Sequence, residues 1–281
     1  MTYFVYMLIA AKSFKFYTYV GYTKDLKKRL ELHNKSKGAK YTKGKKWNII
    51  YKKKYLSKSK AMKEEYLLKK DYILRNEIKK NILKKMLKYK LIKGNKIHPT
   101  AIINWSKVIL GKNNIIGPYV VIGNHAQHPK KKSFGKIKIG NNNIFNEYCN
   151  IHLPTKLSSE TFVGNDNYFM NSTTVDHDCT IEDNVVLSSN VILGGNVYIM
   201  KGAQLGIKTT IHQNQTIGSY TMIGMNSVIT KNKNIIPGYI FYGNTVKKIK
   251  KNILGLKRNN INSDLLKKEN IRFKKLLKFR K

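Results

Sequence analysis

Three sets of residues recur at intervals of 18: His177, Gly195 and Gln213; Asp176, Gly194 and His212; Asp178, Asn196 and Asn214. If the chain coils so that residues 18 apart stack, one edge gathers two imidazoles, adjacent carboxylates and two glycines with accessible backbone N–H groups. That is the inventory of acyl transfer: a general base to deprotonate an alcohol or amine, and an amide donor for the oxyanion formed at the attacked carbonyl.

A period of six residues would produce such coiling. From Ile139, steps of six give Phe145, Ile151, Leu157, Val163, Phe169, Val175, Ile181, Leu187 and Leu193, then Ile199, Leu205, Ile211, Ile217, Ile223 and Ile229. All are large and apolar in a chain that is 41% hydrophobic, so chance does not account for the run. Glycine follows directly at 140, 164, 194, 206, 218 and 224. Leu110-Gly111, Ile116-Gly117 and Ile122-Gly123 share the form ahead of a break over 124–138. Neither a helix (3.6) nor an alternating strand (2.0) has this period. A parallel β-helix of hexapeptide repeats does, with three hexads to a coil and rungs about 4.7–4.9 Å apart. Glycine and asparagine are expected at its corners for positive φ. Its ends and flat faces call for a cap or partners, which predicts a homotrimer.

Charge divides the chain. It carries 55 Lys+Arg against 15 Asp+Glu, a net +40. Residues 1–100 hold 29 basic and 6 acidic side chains, whereas 139–200 hold one basic and seven acidic; 246–281 is basic again. Basic ends of this kind attract nucleic acid, phosphate groups or an acidic protein partner. There is no apolar run of transmembrane length and no basic leader, so a cytoplasmic protein is expected, with Cys149 and Cys179 as thiols. The reading is a small α/β domain over 1–90, a left-handed β-helix over 96–245 and a basic helical extension over 246–281. In the first domain, strand-like 3–8 and 16–22 precede a helix from Asp25 to His33 and helical stretches near 58–72 and 74–90. In the extension, Ser263 or Asp264 caps a helix with Leu265, Leu266, Ile271, Leu276 and Leu277 on one face.

The stretch Phe169-Met170-Asn171-Ser172-Thr173-Thr174-Val175-Asp176-His177-Asp178-Cys179 resembles the catalytic segment of the UDP-N-acetylglucosamine O-acyltransferases of lipid A biosynthesis. So do Ile97-His98-Pro99-Thr100-Ala101-Ile102, Ile211-His212-Gln213, Tyr242-Gly243-Asn244 and Asn252-Ile253-Leu254-Gly255-Leu256-Lys257-Arg258, over about 95–281. The resemblance implies a left-handed β-helix trimer with active sites between subunits, moving an acyl group from acyl carrier protein to a UDP-sugar without a cofactor. It implies His177 as general base and Gly195 as oxyanion amide donor. His152, His212, Gln213, Asn252 and Arg258 would contact donor or nucleotide-sugar, with Gln127 and Lys130 near the sugar nucleotide. Arg258 suits phosphate through its forked donors, and the basic tail suits an acidic carrier. Thr174, Asn196 and Thr245 stand where the family has histidines, and Leu254 where it has a carboxylate.

Residues 1–88 resemble the GIY-YIG nuclease superfamily in its small single-domain form. The matching pieces are Val5-Tyr6, Tyr19-Val20-Gly21, Arg29, His33-Asn34, Lys40-Tyr41-Thr42, and Ala61 followed by Glu65 and Lys69; Phe4 replaces the family's glycine. The resemblance implies Tyr6 and Tyr19 for water activation, Arg29 for phosphate and Glu65 for one Mg²⁺, with His33 and Tyr41 assisting. One carboxylate suffices because Mg²⁺ keeps most of its waters.

The function these residues point to first is an acyl-ACP-dependent acyltransferase on a UDP-amino sugar, in lipid A or surface-glycan synthesis, fused to a nuclease-like domain. Alternatives are an acetyl-CoA-dependent sugar acetyltransferase, and a metal-dependent endonuclease whose β-helix is a trimeric scaffold. Met225 stands where long-chain homologues have glycine, so its side chain is expected to shorten the acyl pocket. Met225→Gly then raises activity on longer acyl donors relative to short ones; an unchanged chain-length preference in a donor series refutes this.

Overall fold

The structure, a computed structural model, describes residues 1–12, 15–86, 88–127 and 132–280. The chain divides into two compact units, Met1–Lys88 and Tyr89–Lys281.

The first unit is built on β1 (Tyr3–Lys12), the central strand of an antiparallel sheet flanked by β2 (Lys15–Thr23) and β3 (Asn48–Tyr55). Alternation along β1 splits its side chains between two cores. Tyr3, Val5 and Met7 pack with Ala61 and Leu68 of α2 (Lys58–Lys70). Tyr6, Leu8 and Ala10 pack on the other face with Trp47. This alternation puts Tyr6 on the same side as Tyr19. Between the strands lies α1 (Leu26–Asn34), whose N-cap Asp25 accepts from the Lys28 N–H; α3 (Tyr72–Met86) closes the unit. Sequence patterning missed β3, because Lys52-Lys53-Lys54 are all exposed and break the alternation there.

The second unit is the parallel β-helix that the period of six demands. Two-to-five-residue strands stack into three parallel sheets of ten, seven and six strands, the largest carrying an antiparallel strand at each end. Above Val163 the step is 18: Val163 pairs with Ile181, Val175 with Leu193, Leu193 with Ile211. Below it the step varies, because loops are extruded at corners. Ile139 pairs with Val163 and Ile151 with Val175, a step of 24, and Val108 pairs with Ile137, a step of 29. The hexad residues fill the interior, with one exception. Leu157 is 78% exposed in the loop between the strands Asn150–His152 and Glu160–Val163. The extra loop is one hexad long, so it keeps the apolar phase in sequence while leaving the coil in space.

The corners correct one expectation. Positive φ is carried mainly by asparagine and aspartate, as at Asp178, Asn196 and Asn214. Gly194, Gly206 and Gly218 are required instead by close backbone approach. A Cβ on Gly218 would lie 2.4 Å from the Pro237 nitrogen, and one on Gly206 2.6 Å from the Met225 nitrogen.

At the C-terminal end the strand Lys247–Lys251 runs antiparallel on Tyr239–Tyr242, so the segment read as a helical extension opens with a strand. Then come α4 (Ile253–Arg258) and α5 (Ser263–Phe279). The cap of α5 is Asn262, which accepts from the Leu265 N–H, rather than Ser263 or Asp264. Its packed stripe is Leu266, Glu269 and Phe273, at i, i+3, i+7; Leu265 (43% exposed) and Ile271 (57%) face away. No described helix is long and apolar enough to cross a membrane.

A buried asparagine ladder runs up the early coils. Asn95 Oδ1 accepts from the Asn114 N–H, Asn114 Oδ1 from Asn143, Asn143 Oδ1 from Asn167 and Asn167 Oδ1 from Val185, at 2.7–2.9 Å. Asn143→Ala strands the Asn167 N–H, which loses Asn143 Oδ1, and the Gly164 carbonyl, which loses the Asn143 Nδ2 donor, in the interior. At about 1–3 kcal/mol per orphaned group, it lowers the stability of this unit by about 3 kcal/mol in urea unfolding; an unshifted midpoint contradicts the ladder's role.

Candidate functional site

In the β-helix, the corner after the strand Thr174–Val175 carries Asp176, His177 and Asp178. One coil on, the corner after Ile192–Leu193 carries Gly194, Gly195 and Asn196. The two corners are joined by the Asn196 N–H donating to the His177 carbonyl (2.8 Å), and the next by Asn214 donating to the Gly195 carbonyl (2.9 Å). His177 lies directly over Gly195: a Cβ there would meet Cε1 and Nε2 of the imidazole at 2.4 and 2.5 Å. Gly195 is therefore glycine for space, and its corner amide remains available, since no hydrogen bond is made by the Gly195 N–H among the described residues.

The imidazole is held from the opposite ring edge. His177 Nδ1 is 2.8 Å from Asp178 Oδ2. Asp178 also accepts from the Thr155 N–H (3.1 Å), Thr155 Oγ1 (2.8 Å) and Ser159 Oγ (2.5 Å). Burial works against ionising Asp178, but the hydrogen bonds from Ser159, Thr155 and His177 outweigh it and hold its pKa below the usual carboxylate value. An acceptor-only carboxylate fixes the proton on Nδ1, and a neutral ring then has Nε2 unprotonated. Asp176 is its counterpart one residue back. Its Oδ1 accepts from the His177 N–H (2.8 Å) and lies 3.1 Å from Nδ1 of His152. Burial again opposes the charge and the hydrogen bonds from His152 and the His177 amide overcome it, lowering the pKa.

The remaining residues scatter more widely. His152 is buried at 2% exposure and turned to Asp176. Exposed His212 and Gln213 line a cleft of about 680 Å³ with Lys231, Lys233, Lys278 and Arg280. Met225 is 58% exposed at a corner after Gly224. Asn252 is already engaged: its Oδ1 caps α4 at the Gly255 N–H and its Nδ2 donates to the Tyr220 carbonyl (3.0 Å). Arg258 is exposed in the last turn of α4, and Gln127 is exposed; Lys130 lies outside the described residues. One residue that the sequence reading missed bears on this corner. Arg280 donates to the Asn196 carbonyl and stacks its guanidinium over Tyr198 at 5.2 Å. Arg272 is ion-paired with Glu182. An arginine in the sequentially distant tail gives no signal of such a partner.

In the first unit a second constellation forms around Tyr6. Arg29 Nε donates to the Tyr6 oxygen (3.2 Å), and Tyr6 Oη is 2.8 Å from His33 Nε2. His33 Nδ1 is 2.8 Å from Thr42 Oγ1, whose own proton goes to the Ala39 carbonyl (2.7 Å). Thr42 can only accept, which assigns the proton to His33 Nδ1 and makes Nε2 the acceptor of the Tyr6 hydroxyl. Burial, with a smaller contribution from Arg29, lowers the His33 pKa and keeps the ring neutral. Tyr19 sits 5.0 Å from the His33 ring and Tyr41 6.5 Å from Tyr19, centroid to centroid. Gly21 is glycine because a Cβ would stand 2.6 Å from Tyr6 Oη. Glu65 is close enough for its charge to act on Tyr6, and its Oε1 pairs with Lys69 at 2.7 Å. Among the described residues no cluster of three His, Cys, Asp or Glu could hold a metal. Glu65 alone fits a Mg²⁺ whose other ligands are water and phosphate oxygens.

Comparison with known proteins treats the two units separately. Residues 2–79 match the GIY-YIG catalytic domain. The second unit is similar by sequence to acyl-[acyl-carrier-protein]–UDP-N-acetylglucosamine O-acyltransferases. The Sulfurihydrogenibium protein is 32% identical over 123 residues, 30% of this chain and 45% of that protein. The Aeromonas salmonicida protein is 40% identical over 78 residues, 26% and 29%. The chain thus spans less than half the length of these curated relatives. Among solved structures, the UDP-N-acetylglucosamine acyltransferase of Bacteroides fragilis superposes with a TM-score of 0.58 at 28% identity, covering 63% of this chain and 69% of that one. The Arabidopsis enzyme gives 0.55 at 28%, covering 64% and 69%.

Burial, only partly offset by the Arg29 hydrogen bond, pushes the Tyr6 pKa from 10.0 up to about 12. Between those values the folded unit keeps a proton that the unfolded chain has released. Stability is therefore complete below pH 10 and is lost as pH rises towards 12. Tyr6→Phe makes that decline shallower by about 2 kcal/mol, after allowance for solvent screening. Urea midpoints measured across this range check it, and parallel declines refute it.

Proposed function

We propose that the chain transfers an acyl group from acyl-ACP to the sugar of a UDP-amino sugar, in lipid A or surface-glycan synthesis, with His177 as general base. The observation that carries this reading is the imidazole pinned at Nδ1 by Asp178 while its Cε1–Nε2 edge covers Gly195. The similarity to the acyltransferases supports it.

Nε2 takes the proton of the sugar hydroxyl or amine as that atom attacks the donor thioester carbonyl. The Gly195 N–H stabilises the resulting oxyanion, and the imidazolium formed beside ionised Asp178 returns its proton to the departing thiolate. His152, held by Asp176, backs the acceptor side. His212, Gln213, Gln127 and Lys130 would contact donor or nucleotide-sugar. Asn252 serves by building the helix that presents Arg258 to phosphate. Met225 would bound the acyl chain. Exposed apolar positions on the seven-stranded sheet, Ile102 (64%) and Ile192 (47%), support a homotrimer. The carrier-bound donor and the free, buried Cys149 and Cys179 suit a cytoplasmic site of action. No cofactor enters this chemistry.

A second activity is favoured by the Tyr6–Arg29–His33 cluster and the GIY-YIG match: metal-dependent cleavage of nucleic acid. In it Glu65 would hold Mg²⁺, which polarises the phosphate, while Arg29 binds phosphate and Tyr6 and Tyr19 place the water. The third reading replaces acyl-ACP with acetyl-CoA.

One set of assays separates them. Acyl transfer to UDP-N-acetylglucosamine is expected to fall at least about a hundredfold in His177→Ala and to survive in Glu65→Ala. Acyl-ACP is expected to outcompete acetyl-CoA. Mg²⁺-dependent DNA cleavage is expected to be lost in Glu65→Ala and kept in His177→Ala. Acyl transfer indifferent to His177→Ala overturns the first reading.

A further inference from the structure

The coil from Ile139 to Val163 is six residues longer than those above it, and the surplus forms the loop that carries Thr155 and Ser159. We propose that these two residues are positioning residues for His177, acting through Asp178 to fix the imidazole's tautomer and its place over Gly195. This rests on the acyl-transfer reading of the site.

The loop is closed on itself by Ser159, whose Oγ accepts from the Lys156 N–H (3.2 Å) and lies 2.9 Å from the Lys156 carbonyl. Its single hydroxyl proton has two candidate acceptors. The carboxylate oxygen of Asp178 is nearer, at 2.5 Å, and charged, so it takes the proton. Thr155 is 7% exposed and donates to the other carboxylate oxygen through both backbone and side chain. Asp178 is thus gripped at both oxygens before His177 is counted. Its backbone is fixed too, by its N–H donating to Thr161 Oγ1 (3.0 Å). From below, the preceding loop braces this one. The Phe134 N–H donates to the Pro154 carbonyl (2.9 Å), and Gly135 packs so closely that a Cβ would stand 2.2 Å from the Ser159 carbonyl oxygen. A carboxylate held this way cannot rotate off Nδ1, and the ring it holds cannot swap tautomers cheaply. An exposed Asp–His neighbour pair on an unbraced corner would have neither property.

The test uses the full-length protein with ¹⁵N-labelled histidine and three variants. Thr155→Val and Ser159→Ala remove one hydroxyl each, and Thr155→Ser restores a donor. In the unmodified protein the His177 signals are expected to report a single Nδ1–H tautomer. The Thr155→Val, Ser159→Ala pair is expected to show a mixed tautomer and a kcat about tenfold lower with KM values unchanged, the scale carried by partners that orient a reacting group. Thr155→Ser is expected to recover both readouts to within about twofold. A single Nδ1–H tautomer that persists in the paired variant, or a kcat that does not move, overturns the proposal. The tautomer measurement needs no substrate, so failure of the positioning role is distinguishable from failure of the acyl-transfer reading. Should the pair fold poorly, Ser159→Ala alone is read by the same two measurements.

Discussion

Vertical registry is the constraint on which the second unit depends. A parallel coil repeats its backbone hydrogen bonds with each turn, so a corner residue finds its neighbour one turn away at a fixed, short distance. The bonds from Asn196 to the His177 carbonyl and from Asn214 to the Gly195 carbonyl are that constraint at the candidate site. They put an imidazole over a residue far along the sequence without any tertiary loop having to find its place. Only glycine at 195 admits the ring. The interior supports this from behind: Val175, Leu193 and Ile211, the residues that precede the three corners, are stacked and essentially unexposed.

Legibility followed from this geometry. Where the chain obeys the repeat, a residue's spatial neighbours are fixed by subtraction, and the columns through His177 and Asp176 could be written down from positions alone. Where it leaves the repeat, they could not. Leu157 keeps the apolar phase yet stands in solvent, because phase in sequence does not distinguish a coil from a loop of equal length. The grip of Thr155 and Ser159 on Asp178 is a side-chain event across that loop, and nothing in residue type announces it. In the first unit, Tyr6, Tyr19 and Arg29 were legible through the resemblance to the GIY-YIG superfamily, whereas β3 was hidden by its run of exposed lysines. The packed face of α5 was misread for a similar reason: buried Glu269 is charged, and it reached the interior only because Ser219 (2.6 Å) and Lys201 (2.8 Å) meet its two oxygens.

Charge asymmetry takes on a more specific meaning in the structure. The acidic middle of the chain and the basic tail are partners within one unit, since Arg272 pairs with Glu182 and Arg280 crosses to Asn196. These arginines are committed internally. What the tail offers to an acidic partner is its lysines, which are exposed at 267, 268, 274, 275 and 278. Lysine is well suited to this: a hydrated ammonium on a long stem adds long-range attraction without demanding a fixed geometry.

The two units place histidine under opposite electrostatics while using one device. In each, Nδ1 faces an acceptor that cannot give a proton back: Thr42 Oγ1, whose hydrogen is spent on the Ala39 carbonyl, and Asp178, which is ionised. In each, the proton placed at Nδ1 leaves Nε2 as the ring's accepting nitrogen. The surroundings then set different tasks. His33 has no exposed surface and stands beside Arg29, so taking a proton would bury a second cation; its service is to accept the hydrogen bond of Tyr6 and aim the phenol oxygen, to which Arg29 also donates. His177 lies between two carboxylates held ionised, so a proton taken at Nε2 creates an imidazolium that Asp178 stabilises directly. On the proposed acyl-transfer reading the same ring is an orienting group in one unit and a base in the other, and the difference comes from what is ionised within a hydrogen bond of it.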